Sequence, residues 1–198
     1  MDRYRNFAEL SAAECAGVDY RIRARAAGPT LLLAPHGGNI ELGTTELAEA
    51  IAADDHSFYT FESLRDARNA DLHITSARYD EPRCIAMLAR SDVVVTIHGE
   101  QRPSEVVFVG GLDTARAARI RDGLRRHGFV AESVDRSELR GHSRTNVCNR
   151  GRRRAGVQLE ISKGLRRACF RSLRSRMDRQ QTTATFDAFV SAVRGSLT

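Results

Sequence analysis

The sequence predicts an α/β fold in which a central mixed, largely parallel sheet lies between two layers of helices. Short apolar segments alternate along the chain with segments of helical period, as expected for a sheet covered by helices. The runs Leu31-Leu32-Leu33 and Val93-Val94-Val95 are apolar throughout. Such runs are typical of strands that are buried on both faces of a sheet.

Eight strands and five helices are predicted from these patterns. The strands are expected at residues 20–24, 30–34, 57–61, 71–75, 93–97, 106–109, 130–134 and 157–161. The helices are expected at residues 45–53, 82–89, 113–127, 163–177 and 183–193.

Two of the helices carry local start signals. The helix at 45–53 follows Gly43-Thr44-Thr45, where a threonine hydroxyl can cap free backbone N–H groups. Asp113 is expected to cap the helix at 113–127, whose arginines should lie mostly on the solvent side.

Length and composition fit one globular domain over residues 1–198. The chain has 198 residues, of which 41% are hydrophobic, so it is too apolar to be a disordered protein. It is also shorter than the roughly 250 residues at which hydrophobic cores usually divide.

The chain is basic, with 31 Lys+Arg against 25 Asp+Glu and a net charge of +6. Lys163 is the only lysine, so almost all of the positive charge is arginine. This balance indicates an anionic partner, although a genome that favours arginine codons explains it equally well.

The remaining composition signals indicate a cytoplasmic protein. No apolar run reaches the roughly 18 residues of a membrane helix, and the start MDRYRNFAEL lacks the apolar stretch of a secretory signal. The four cysteines form no Cys-x-x-Cys pair and are expected to be reduced. The sequence also lacks the motifs of dinucleotide-binding proteins, P-loop proteins and common serine or zinc hydrolases.

Two predicted strands end in histidine and glycine. LLLAPHGG ends in His36-Gly37-Gly38, VVVTIHGE contains His98-Gly99, and Glu41 follows His36 by five residues. Ligands of α/β proteins bind beyond the carboxyl ends of the strands, and two histidines with one carboxylate are a common zinc set. A histidine at a strand end is more often a hydrogen-bonding structural residue, so the spacing leaves both interpretations open.

Seven segments together resemble the poly-γ-glutamate hydrolase family of bacterial and phage zinc hydrolases, which are related to carboxypeptidases. They occur in order over nearly the whole chain: APHGGNIELGTTELAEAIA (34–52), FYTFES (58–63), LHITSARYDEP (72–82), VVTIHGE (94–100), VFVGGLD (107–113), NVCNRG (146–151) and GVQLEIS (156–162).

The resemblance implies a carboxypeptidase-like fold and a single catalytic domain with one Zn²⁺ ion. It implies that His36, Glu41 and His98 bind the zinc, and that Glu160 in GVQLEIS is the general base. A glutamate that is close to the metal but not bound to it can take a proton from water and pass it to the leaving amine.

The resemblance also implies a substrate, poly-γ-glutamate, which is a polyanion. Asn149 and Arg150 match the pair that binds a substrate carboxylate in carboxypeptidases, and Arg166 is the next arginine expected to bind substrate. Guanidinium groups bind carboxylates through two parallel hydrogen bonds. We expect a monomer that binds neither membrane nor nucleic acid.

Two other functions remain open from the sequence. The substrate can be another γ-glutamyl or acyl amide, or the arginine-rich residues 150–179 can bind nucleic acid. His73 is expected to make a hydrogen bond within a strand, or alternatively to orient a zinc ligand.

Overall fold

The computed structural model describes residues 2–133 and 140–197. In these ranges seven strands occur: β1 Tyr20–Arg25, β2 Thr30–Gly38, β3 Ser57–Ser63, β4 Val93–Glu100, β5 Val107–Gly110, β6 Ala131–Ser133 and β7 Val157–Ser162. The α-helices of the same ranges are α1 Phe7–Ala13, α2 Thr44–Ala52, α3 Pro82–Leu88, α4 Thr114–Arg126, α5 Lys163–Cys169 and α6 Ala184–Arg194.

All seven strands form one mixed sheet in the order β1-β3-β2-β4-β7-β5-β6. The four central strands β3, β2, β4 and β7 are parallel. β1 is antiparallel to β3 at one edge, and β5 is antiparallel to β7 near the other edge, where β6 pairs with it in parallel. The predicted α/β class and the mixed sheet are therefore confirmed.

Helices cover both faces of the sheet. Leu32 of β2 belongs to a core that it shares with helices α2, α4, α5 and α6. Leu31 and Leu33 belong to a second core, which contains Leu10 of α1 and Leu88 of α3. Successive side chains of a strand point to opposite faces, so the leucines of this run pack into both cores. Because both faces are buried, every position of the run is apolar.

The predicted strand at 71–75 is wrong. Asn69–Leu72 is a short 3₁₀ helix, and residues 73–75 have no regular secondary structure. Leu72 and Ile74 alternate into the core as a strand would, but the backbone N–H of Thr75 donates to the Asp2 carboxylate rather than to a neighbouring strand. The alternation of apolar residues therefore indicated that Leu72 and Ile74 are buried, but it did not indicate pairing with another strand.

The predicted helix at 163–177 is too long, because α5 ends at Cys169. Phe170 is extended and forms an isolated bridge with Thr182. Thr183 satisfies the carbonyls at the helix end, since its backbone N–H donates to Cys169 and its hydroxyl to Ala168. Helix α1 was not predicted from the sequence.

The start signals of the two helices had different outcomes. No threonine side chain caps α2, whose N-cap is Gly43, and the Thr44 hydroxyl instead donates to the Glu41 carbonyl. Asp113 does cap α4 by accepting from the backbone N–H of Arg116. The Arg116 side chain is buried, in contrast to the exposed arginines of that helix.

No helix in the described ranges is long and apolar enough to span a membrane. The predicted strand at 130–134 is seen as β6, and its last residue lies outside the described ranges.

Candidate metal centre

His36, Glu41 and His98 come together at the carboxyl ends of the central parallel strands. His36 lies in β2, His98 lies in the adjacent β4, and Glu41 lies in the turn between β2 and α2. The turn folds back on the strand, since the backbone N–H of Glu41 donates to the His36 carbonyl. One potential ligand atom of each residue lies within 4.8 Å of the other two. The predicted convergence of the three residues is thus present.

Each histidine turns Nδ1 toward Glu41. His36 Nδ1 lies 3.1 Å from Glu41 Oε1, and His98 Nδ1 lies 3.6 Å from Glu41 Oε2. The opposite ring nitrogen of His36 is 2.9 Å from the carbonyl of Ile74, so Nε2 carries the proton and donates it there. His36 Nδ1 is therefore the ring nitrogen left to bind a cation beside the Glu41 carboxylate. Two imidazoles and one carboxylate are a donor set that suits Zn²⁺.

Electrostatics within the site favour a charged Glu41. Burial alone would raise the pKa of Glu41, but the charges and hydrogen bonds of His36 and His98 outweigh it and lower the pKa well below its usual value. Burial alone would lower the pKa of His98, yet Glu41 and Glu160 together raise it. The backbone N–H of Gly99 adds a 2.8 Å hydrogen bond to Glu41 Oε2. The ligand carboxylate is thus held ionised and in a fixed orientation.

Glu160 lies beside the three residues on the neighbouring strand β7. It is directly opposite His98 in the parallel pairing of β4 with β7, and both residues line the same cleft. Burial, followed by the negative charges of Glu41 and Glu100, raises the pKa of Glu160 to about 7. A carboxylate with a pKa near neutrality can both accept and return a proton.

A chain of side-chain amides orients Glu160. Asn146 Nδ2 donates to Gln158 Oε1 at 2.9 Å, and Gln158 Nε2 donates to Glu160 Oε1 at 2.8 Å. Gln158 precedes Glu160 by two residues on β7, so both side chains lie on the same face. The second oxygen, Oε2, receives no hydrogen bond from this amide chain.

The three residues and Glu160 open into a cleft of about 480 Å³. The described residues that line it include no arginine or lysine. They are His36, Glu41, His73, Thr75, Ser76, Ala77, His98, Gly99, Glu100, Gln101, Gly141, His142, Ser143, Asn146, Gln158 and Glu160. Apart from the carboxylates, the lining offers imidazoles, hydroxyls, amides and backbone N–H groups.

Asn149 lies outside this lining and is occupied by the scaffold. Its amide nitrogen donates to the carbonyls of Gly141 and Ser143, and its oxygen accepts from the backbone N–H groups of Leu112 and Gly156. The predicted contact of Asn149 with substrate stays a prediction, and these contacts favour a role in holding the chain around Gly141.

Arg150 and Arg152 are not among the described residues that line the cleft. Arg150 donates to the carbonyl of Tyr79, and Arg152 pairs with Asp92 at 3.3 Å while its backbone N–H donates to Ser91. Ser91 lies two residues before β4 begins and seven residues before His98, which corresponds to about 20 Å along an extended chain. Substrate binding by Arg150 therefore stays a prediction that the lining of the cleft does not support.

Arg166 is buried beneath the site and joins three segments that carry it. Its guanidinium donates to the carbonyl of Leu42 after Glu41, to Glu100 at the end of β4 and to Ile161 next to Glu160. A Cβ at Gly99 would lie 2.7 Å from the guanidinium carbon, so only glycine leaves room for it. All these partners belong to the scaffold, so substrate binding by Arg166 also stays a prediction.

One wall of the cleft was missed in the sequence analysis. Residues 73–78, which we call the 73–78 wall, approach both histidines: Ile74 holds His36, and the Ser76 hydroxyl lies 3.4 Å from His98 Nε2. The His73 ring lies 4.0 Å from the ring of His36, between centroids. Of these residues, only His73 was considered as a possible partner of a zinc ligand from the sequence. Assigning residues 71–75 to a strand gave no indication that this segment contacts the histidines.

A mixed sheet covered on both faces, with two histidines and a carboxylate at its carboxyl edge and a separate buried glutamate, defines the class of α/β metal-dependent hydrolases. Within this class, the chain belongs to the poly-γ-glutamate hydrolase family, whose model matches residues 4–192.

Relatives and solved structures agree with this membership. UPF0714 protein YndL of Bacillus subtilis (strain 168) is 38% identical over 179 residues, which cover 88% of this chain and 70% of YndL. UPF0714 protein YmaC of the same strain is 35% identical over 198 residues, 99% of this chain and 84% of YmaC. The structure of a bacteriophage poly-γ-glutamate hydrolase matches with a TM-score of 0.95 at 34% identity, covering 99% of this chain and 96% of that one. A zinc-free apo structure of YndL matches with a TM-score of 0.90 at 33% identity, covering 100% of this chain and 98% of that one.

Proposed function

We propose that this protein is a zinc-dependent hydrolase that cleaves the γ-glutamyl amide bonds of poly-γ-glutamate. The observation that carries the proposal is the meeting of His36, Glu41 and His98 within 4.8 Å, with Glu160 opposite His98 on the next strand. Membership of the poly-γ-glutamate hydrolase family supports the substrate class.

His36, Glu41 and His98 would hold one Zn²⁺ ion through two Nδ1 atoms and a carboxylate. When bound, zinc polarises an amide carbonyl and lowers the pKa of water, so that a nucleophile forms near neutral pH. The described protein groups position those ligands: Ile74 and Ser76 hold the opposite nitrogens of the two histidines. Such partners keep the imidazoles in the tautomer that binds metal.

Glu160 moves the proton in this mechanism. Its Oε2 accepts a proton from the attacking water and then delivers it to the nitrogen of the leaving γ-amide, which departs as a neutral amine. Gln158 holds Oε1 throughout, so the proton-carrying oxygen keeps its direction. Burial favours the protonated form of Glu160, which is the form that returns the proton to the leaving nitrogen.

The contacts of the arginines weaken the nucleic-acid alternative. Arg166 and Arg179 are buried among scaffold groups, so neither can belong to a nucleic-acid surface formed by residues 150–179. The remaining alternative is a different γ-glutamyl or acyl amide. Assaying poly-γ-glutamate beside short γ-glutamyl peptides and simple acyl amides separates these substrates.

The proposal is tested with purified wild-type protein and the variant His98→Ala. We expect wild-type protein to bind about one zinc per chain and to release new amino groups from poly-γ-glutamate, and the variant to lose both properties. His127→Ala is the matched control, since His127 lies at the end of α4 and contacts Gly123. Hydrolysis by His98→Ala at the wild-type rate would contradict the proposal.

A further inference from the structure

The 73–78 wall lacks the hydrogen bonds of a helix or strand, although it orients both predicted histidine ligands. Residues 73–75 are irregular and residues 76–78 form a turn. His73, Thr75, Ser76 and Ala77 line the cleft. Its backbone is held by the Val147 N–H, which donates to the Ser76 carbonyl, and by the turn bond from the Arg78 N–H to Thr75, and side chains outside the wall add further fixation.

Asp2 supplies that fixation. Its carboxylate accepts hydrogen bonds from His73 Nδ1 at 2.8 Å, from the Thr75 backbone N–H at 2.7 Å and from the Thr75 hydroxyl at 2.6 Å. Arg78 Nη2 adds a fourth contact at 2.7 Å. The Asp2 side chain is only 10% exposed, although its bonds to Thr75 and Arg78 lie at the surface.

Neighbouring residues hold the chain on both sides of the wall. Arg3 pairs with Asp71 before the wall, and the backbone N–H of Phe7 donates to Asp80 after it. Among the contacts made by this N-terminal segment, those of Asp2 are the ones that reach the wall itself.

We propose that Asp2 is a positioning residue for the metal centre, which fixes the 73–78 wall so that Ile74 and Ser76 hold His36 and His98 in the orientation for binding zinc. The path is short: Asp2 binds residues 73, 75 and 78, while the intervening residues 74 and 76 contact the histidines. Partners that orient a ligand histidine typically change metal affinity by about 10- to 100-fold when they are lost. The inference rests on the proposed function through the identity of the metal ligands.

The test compares Asp2→Ala with the matched control Asp71→Ala in the full chain. Both changes remove a carboxylate that pairs with arginine, but Asp2 pairs with Arg78 of the wall whereas Asp71 pairs with Arg3 and Arg68 outside it. Zinc affinity is measured by competition with a chelating dye, without substrate, after circular dichroism has verified folding. We expect zinc binding about 10-fold weaker or more for Asp2→Ala and less than about 3-fold weaker for Asp71→Ala.

Two further readouts separate positioning from general stability. At saturating zinc, kcat of Asp2→Ala is expected to fall while KM changes little, and the visible spectrum of the Co²⁺-loaded variant is expected to differ from that of wild type because the ligand geometry changes. Asp2→Asn preserves the shape and one acceptor oxygen. If Asp2→Ala does not fold, this variant carries the test with an expected intermediate loss of zinc affinity.

Wild-type zinc affinity and a wild-type cobalt spectrum in Asp2→Asn or in folded Asp2→Ala would overturn the inference. Equal losses in Asp2→Ala and Asp71→Ala would also overturn it. Absence of poly-γ-glutamate hydrolysis by the wild-type protein would instead contradict the proposed function and would leave the zinc-affinity comparison valid.

Discussion

Glu160 is buried beside two other carboxylates, and its ionisation couples the chemistry of the site to the stability of the fold. Its pKa is raised from 4.5 to about 7 by burial first and by Glu41 and Glu100 second. The folded protein therefore binds this proton more tightly than the unfolded chain does. The same property that suits Glu160 for proton transfer makes its charged form costly in metal-free protein.

The metal-free protein is expected to lose stability as pH rises from about 4.5 through 7, because the folded state must release a proton that it holds tightly. Glu160→Gln removes this dependence and keeps an oxygen for the hydrogen bond from Gln158. Between pH 5 and pH 8, in chelator, wild type should lose about 2–3 kcal/mol more unfolding free energy than the variant.

Urea unfolding at both pH values measures this difference. Glu132→Gln is the control, since Glu132 is exposed on β6 and should leave the wild-type dependence unchanged. A wild-type pH dependence in Glu160→Gln would contradict the raised pKa.

At the scale of the elements, three separate segments must meet to build the site, and Arg166 in the last turn of α5 joins them. It donates to carbonyls after Glu41, at the end of β4 and at the end of β7. Burial lowers the pKa of Arg166, and the nearby carboxylates of Glu41, Glu100 and Glu160 oppose that shift. The buried cation thus stabilises the acidic side of the site without lining the cleft.

Arg166→Met is expected to cost about 3 kcal/mol or more of unfolding free energy, because one buried carbonyl and two half-buried carbonyls lose a charged donor. Zinc affinity should fall as well, since the turn that carries Glu41 is no longer connected to β4 and β7 through the hydrogen bonds of Arg166. Arg167→Met is the control: Arg167 is the exposed neighbour on the same helix, and its loss should change stability by less than about 0.5 kcal/mol. Urea unfolding and dye competition measure both quantities, and equal stability of the two variants would refute the role of Arg166.

The elements also show how far sequence patterns lead. The apolar runs in β2 and β4 correctly predicted strands buried on both faces, because such composition has few other uses in a soluble fold. The segment at 71–75 had the same alternation but bonds to Asp2, which lies about seventy residues earlier in the chain. Long-range side-chain partners of this kind leave no trace in a local pattern, and the same holds for the bridge between Phe170 and Thr182 that ends α5.

At the scale of the whole molecule, the arginines that give the chain its charge of +6 are absent from the lining of the cleft within residues 2–133 and 140–197. Arg152 lies at the opposite end of β4 from His98, and Arg166 and Arg179 are buried among scaffold carbonyls and side chains. Motif position alone suggested that the arginines after Asn149 bind substrate. Substrate binding by Asn149 and Arg150 stays a prediction, because motif position does not show which partners their side chains take in the fold.

The most direct test of the central claim is the anomalous diffraction of a zinc-loaded crystal at the zinc absorption edge. We expect one strong peak per chain, about 2.0–2.2 Å from His36 Nδ1, His98 Nδ1 and a Glu41 carboxylate oxygen, with Glu160 nearby but not bound. A peak at other residues, or no peak at these three in protein that hydrolyses poly-γ-glutamate, would contradict the account.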